Sequence, residues 1–179
     1  MLFNAAYAGS DESRVANDDA TARIADLEIH GYVEKIRIEP EGVVLSARMD
    51  SGATSSSLNA INQRRFRRNG ERWIEFDILD PSDEGETIRI RRPIERFVRI
   101  IRHEGEQRRP VVRMTFCIGT KSITADTTLI DRTNLTYQAL VGRAHLAGHV
   151  LVDSSKRYLM EPACEDSEAD IGANTETDT

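Results

Sequence analysis

Residues 48–60 read RMDSGATSSSLNA, and the group in that stretch that could do chemistry is the Asp50 carboxylate. It stands on a glycine-containing bend, followed by Ser51, Gly52, Ala53 and a run of small hydroxyl residues. Peptide hydrolysis by carboxylates needs two of them close together sharing one proton, because like charges at that distance cannot both ionise. Each must also be held by donors that do not move. An Asp-Ser-Gly loop meets that need. Glycine lets the chain bend tightly and brings backbone N–H groups to the acid. The Ser51 hydroxyl can fasten the loop, and Ala53 keeps its floor compact. The other reading of these residues is a serine-rich turn in which Asp50 caps neighbouring N–H groups.

Other reactive side chains offer less. His145-Leu146-Ala147-Gly148-His149 has the spacing that stacks two imidazoles on one helix face. Gly148 weakens a helix there, no Glu follows His145, and no third ligand is evident, so these are read as packing or surface histidines and no metal site is expected. Ser55, Ser56 and Ser57 lack the GxSxG elbow of a serine nucleophile. The chain contains no GxxxxGK[ST] phosphate loop, and no cofactor is expected. Ala125-Asp126-Thr127-Thr128 has an acid and hydroxyls without the glycine, and it sits in an alternating run that points Asp126 outward. Cys117 lies in an apolar run and Cys164 in an acidic tail, so no disulfide framework or CxxC motif is visible.

The elements that must position Asp50 are strands. GYVEKIRI (31–38), a Pro40-Glu41-Gly42 turn and VVLSARM (43–49) form a hairpin leading into the loop. WIEFDIL (73–79) and TIRIRR (87–92) form a second around the polar stretch 80–86, and RFVRIIR (96–102) with VVRMTFCIG (111–119) a third. SITADTTLI (122–130) is a further strand, and LTYQALVG (135–142) is apolar enough to be buried and central. Two stretches are expected to be helical, 60–68 and 142–148. The fold class is therefore all-β, a small barrel or sandwich. Residues 1–28 and 161–179 are poor in apolar residues and unpatterned, and are read as flexible tails flanking one domain over 29–160.

The chain has 179 residues and a net charge of −6, unevenly laid out. Residues 31–160 carry 17 acids against 22 bases, whereas residues 161–179 carry seven acids and no base. The 14 arginines between 61 and 113 are interleaved with ten acids. That interleaving reads as a salt-bridged strand surface, so nucleic acid is not an expected partner. No apolar run reaches the length of a membrane-spanning helix. The opening MLFNAAYAGS lacks a basic region and fits either an appended segment or the trimmed end of an export signal.

Taken together, GYVEKIRI…ARMDSGATSSSLNA…WIEF…LVGRAHLAGHVLVD resembles the bacterial retropepsin-like aspartic protease family, often labelled ATP-dependent zinc proteases. The resemblance covers roughly residues 29–160. It implies a closed acid-protease barrel with one short helix near the end of the domain. It also implies Asp50 as the catalytic acid, with Ser51, Gly52 and Ala53 supporting its loop and Leu140, Val141 and Gly142 supporting it from below. Members usually carry a basic residue after the Asp-Thr-Gly-Ala stretch, where this chain has Thr54. One domain supplies one Asp-Ser-Gly, so the implied enzyme is a homodimer with one acid from each copy acting on a peptide or protein substrate. The 73–92 hairpin is the best candidate for the substrate cover, its other reading being a plain surface hairpin. The opening strand also leans toward members carried outside the cytoplasm, so a periplasmic or exported location is favoured. The rival readings are a non-catalytic peptide-binding or regulatory module on the same fold, for which Thr54 is the hint, and a metal-dependent hydrolase.

Overall fold

The computed structural model describes residues 24–83, 85–102 and 105–165. Its strands follow the alternation of apolar and polar residues. In β2 (Val33–Glu39) and β3 (Val43–Met49), Ile36, Ile38, Leu45 and Ala47 point inward and are essentially inaccessible to solvent. The turn between them uses Gly42 at a φ of 71°, a left-handed conformation that glycine adopts without steric cost. β9 (Gly105–Ile118) and β10 (Lys121–Ile130) form the longest antiparallel pair, registered from Lys121 opposite Ile118 to Thr128 opposite Val111.

Two short strands complete the wall. β4 (Ser56–Asn59) follows the Asp50 loop, and β11 (Ala139–Val141) inserts between β3 and β4, parallel to the first and antiparallel to the second. The neighbour order is β10-β4-β11-β3-β2-β9, and the β9–β10 pairing closes the ring. This is an all-β, retropepsin-like barrel, with helix α1 (Arg143–Leu146) following β11. β8 (Arg96–Arg102) pairs with the first half of β9. β5 (Ile61–Arg68), β6 (Glu71–Leu79) and β7 (Thr87–Pro93) make a separate antiparallel sheet whose Ile74, Phe76, Ile78 and Ile90 join the common core. β1 (Glu28–Gly31) and β12 (Val150–Asp153) pair in parallel.

Three expectations are corrected. Residues 61–68 form strand β5, not a helix, because pairing with β6 around the Asn69-Gly70 turn outweighs the helix preference of consecutive arginines. Of the strand expected over 135–142, only Ala139–Val141 is extended into the sheet. Cys117 and Cys164 are joined in a disulfide with a Cα–Cα separation of 5.8 Å.

That bond, with the Ala163 N–H donating to the Gly119 carbonyl at 2.7 Å, carries the folded unit past 160 as far as Cys164. Glu34 adds a second anchor. Although its residue is fully buried, its carboxylate accepts the backbone N–H groups of Gly31, Leu159 and Met160, the latter two at 2.9 and 3.3 Å. A buried carboxylate is tolerable when donors surround it in this way. Residues 166–179 lie outside the described residues.

The acids of β6 are salt-bridged to arginines of the flanking strands, while other arginines of the same strands have no carboxylate partner among the described residues. Glu75 is paired with Arg91 at 2.6 Å and Arg64 at 3.0 Å, and Asp77 with Arg89 at 2.9 Å. Hydrogen bonds from these guanidinium groups hold both carboxyls below their ordinary range.

Candidate active site

Asp50 is the first residue after β3 and is half-buried. Its backbone N–H donates to the Val141 carbonyl at 2.9 Å, so the inserted strand β11 supports the loop from one side. Its Oδ1 accepts the N–H groups of Gly52 at 2.9 Å and Ala53 at 3.2 Å. Oδ2 has no hydrogen-bond partner among the described residues, so one oxygen is anchored and the other is available. Gly52 is needed for space rather than for an unusual backbone angle. A Cβ there would come within 3.1 Å of Oδ1.

Gly142 is under tighter constraint. A Cβ on it would lie 2.5 Å from the Ser55 carbonyl oxygen and 2.6 Å from its carbon. The two loops are in direct backbone contact, with Arg143 N–H donating to Ala53 O at 2.9 Å and Ala144 N–H to Thr54 O at 3.0 Å. Val141 is fully buried, and Leu140 lies opposite Ser57 in the sheet. The residues expected to form the site are therefore brought together. Ser51 is exposed, and its hydroxyl makes no hydrogen bond among the described residues, so within one chain it does not fasten the loop.

That fastening falls to residues the sequence reading did not assign. Arg143 Nη1 donates to the carbonyls of Ser51 at 2.9 Å and Gly52 at 3.0 Å, and Nη2 to Thr54 Oγ1 at 3.1 Å. A cation thus lies on the loop from across the site, where a basic residue at position 54 is missing. Underneath, Ser56 Oγ accepts the Gly142 N–H at 3.0 Å and lies 2.8 Å from His145 Nδ1. His145 Nε2 is 3.2 Å from the Met114 carbonyl, which can only accept. Nε2 therefore carries the proton, Nδ1 is the acceptor, and the Ser56 hydroxyl donates to it. The imidazole also stacks on Phe116, with centroids 4.5 Å apart. Burial pushes the His145 pKa down to about 4, partly countered by the Met114 hydrogen bond. The Arg-Ala-His sequence after Gly142 was visible, but its reach to Ser56 and Met114 was not.

Neither histidine of the 145–149 pair points to a metal. His145 uses both ring nitrogens inside the protein, and α1 ends at Leu146, so His149 is not on a shared helix face. Among the described residues, no three His, Cys, Asp or Glu side chains are grouped as a metal would require. Asp126 is ion-paired with Arg96 and lies 3.8 Å from Arg113 on the strand surface. The 73–92 hairpin expected to cover a substrate is pinned to the core through Ile74, Phe76, Ile78 and Ile90. No helix among the described residues is long and apolar enough to cross a membrane.

Comparison with known proteins agrees with this geometry. The chain is 32% identical over 120 residues to a probable alpha-L-glutamate ligase of Shewanella pealeana, covering 65% of this chain and 26% of that protein. It is 38% identical over 112 residues to a protein of the same name from Parasynechococcus marenigrum, covering 61% and 24%. The chain thus spans about a quarter of the length of the curated relatives it matches. Among solved structures, Lpg0085 of Legionella pneumophila, a protein of unknown function, superposes with a TM-score of 0.65 at 28% identity, over 74% of this chain and 98% of that one. Residues 29–163 match the family described as retropepsin-like aspartic endopeptidase RimB, and the chain belongs to that RimB-like family.

Proposed function

We propose that the protein is an aspartic endopeptidase whose catalytic dyad is Asp50 and the same residue of a second copy. The observation that carries this reading is the Asp50 loop itself, with Oδ1 held by two backbone N–H groups and Oδ2 without a partner among the described residues. Two such carboxylates across a two-fold axis share one proton. The ionised one takes a proton from a water as it attacks the scissile carbonyl, and the protonated one donates to the carbonyl oxygen. The chain supplies one loop of this kind, which supports a homodimer.

The names of the curated relatives bear on the substrate. They are described as probable alpha-L-glutamate ligases, of which this chain matches about a quarter. A peptidase module joined to such a ligase has acidic, glutamate-rich peptide as its nearest substrate, and we assign that class to this chain. The Cys117–Cys164 disulfide favours an oxidising compartment, in keeping with export.

The test is cleavage of a diverse peptide library, glutamate-rich members included, across acidic to neutral pH and read by mass spectrometry. Wild-type protein is expected to cut, and Asp50→Ala protein to fold but not cut. Cleavage retained in Asp50→Ala protein would sink the mechanism.

A further inference from the structure

Five arginines gather where β5 and β6 meet β8 and β9. Phe97 on β8 has Arg65, Arg108 and Arg72 over its ring at 5.0, 5.2 and 5.6 Å. Trp73 has Arg68 at 5.1 Å and lies 6.4 Å from Phe66, and the exposed Arg67 lines the same groove as both rings. Arginines elsewhere in the β5–β6–β7 sheet are committed to acids: Arg64 and Arg91 to Glu75, and Arg89 to Asp77. In contrast, Arg65, Arg67, Arg68, Arg72 and Arg108 have no carboxylate partner among the described residues. Glu71 and Glu95 are the acids on the adjoining groove, and neither pairs with them there. The rings stack several of these guanidinium groups at a groove of about 250 Å³ lined by Phe66, Trp73, Ile94 and Phe97 together with Arg65, Arg67 and Arg72. Stacking orders the arginines without neutralising them.

We infer that this surface is a docking site for an acidic polypeptide, separate from the Asp50 loop. Its assignment to glutamate-rich chains rests on the function proposed above. Ordered, uncompensated guanidinium groups suit carboxylates, which they bind bidentately. Single-stranded nucleic acid suits the surface less well. Bases need open ring faces to stack on, and here cations cover the faces. Such a site would hold a long acidic substrate while its cleavable segment lies at the dyad, raising local concentration there.

The test uses Asp50→Ala protein, so that no probe is consumed, and fluorescence anisotropy of labelled oligoglutamate, oligoglutamine and oligo(dT). Oligoglutamate is expected to bind in a salt-sensitive manner and oligoglutamine is not. The pair Arg65→Gln/Arg108→Gln is expected to weaken oligoglutamate about tenfold or more. The pair Lys121→Gln/Lys156→Gln, which removes the same charge elsewhere, is expected to change it less than about twofold. Arg65 and Arg108 are exposed, so folding is not at stake, and equal melting temperatures confirm it. Absence of oligoglutamate binding, equal weakening by both pairs, or tighter binding of oligo(dT) overturns the proposal. Because binding is read without cleavage, failure here and failure of the protease mechanism are separate results.

Discussion

At the scale of single residues, two glycines divide the work of the site between stability and chemistry. A methyl group on Gly142 would meet the Ser55 carbonyl at 2.5 Å, backbone that the Arg143 and Ala144 N–H groups already tie in place. Nothing there can yield cheaply, so Gly142→Ala is expected to lose about 2–4 kcal/mol in a denaturant titration. A methyl group on Gly52 would instead crowd the Asp50 carboxylate at 3.1 Å, on an exposed loop. Gly52→Ala is expected to melt within a few degrees of wild type, near the limit set by ~1 kcal/mol, while losing cleavage. A Gly142→Ala protein as stable as wild type would contradict the geometry. Both glycines and Asp50 were legible in the sequence because a tight acidic loop is a local pattern. Arg143, Ser56 and His145 were not, because their roles depend on contacts between segments about ninety residues apart, which no spacing rule encodes. Thr54 alone suggested a missing charge, whereas the fold returns a cation to the loop through Arg143.

At the scale of elements, the supporting layer under the loops has a pH signature. His145 bridges β4, α1 and β9 in its neutral form, and its pKa is lowered to about 4 from 6.5 chiefly by burial. Arg113 pushes in the same direction and Asp126 against it. As pH falls through 6.5, the unfolded chain takes up a proton that the folded chain refuses. Stability is therefore full above that value and is lost progressively toward pH 4, by up to about 3 kcal/mol. Above about pH 5 most carboxylates are ionised in both states, and comparison with a His145→Gln variant separates this histidine from the other three. Thermal melts from pH 7 to 5 are expected to fall for wild type and to flatten for His145→Gln, and parallel curves would refute the assignment. The C-terminal segment carries a second element-scale prediction. Cys117 and Cys164 close a loop of 47 residues, so reduction is expected to cost about 4 kcal/mol, measured by chemical denaturation with and without a thiol reductant. Legibility at this scale followed periodicity. The hairpins around Gly42 and residues 80–86 alternate cleanly and could be read. β5 could not, because Ile61 and Phe66 lie on a mostly exposed strand of arginines, and its best signal was the Asn69-Gly70 turn, whose two residues sit at φ of 50° and 84°. The disulfide was hidden because only the fold brings an acidic tail back against β9.

At the scale of the whole molecule, the Asp50 loop holds an anchored carboxylate whose second oxygen has no partner among the described residues, which is half of what carboxylate-dyad hydrolysis needs. Asp126, the within-chain alternative, is taken up by Arg96 on the outer surface of β10. In the proposed mechanism a second molecule supplies the other acid, which makes activity a property of pairs of chains. Subunit mixing separates this from catalysis by independent chains. Wild-type protein is refolded together with an equal amount of Asp50→Asn protein, at a concentration where dimers predominate. If each dyad needs one Asp50 from each protomer, half the wild-type chains are sequestered in mixed dimers that lack one acid, and the total rate falls to about half that of the same wild-type protein refolded alone. Increasing the mutant share drives the rate lower still, and an interface variant that stays monomeric loses it altogether. If single chains were competent, added Asp50→Asn protein would be inert and the rate would not move. An unchanged rate across the mixing series, with mixed dimers verified by mass, would show that the second carboxylate is not Asp50 of a partner.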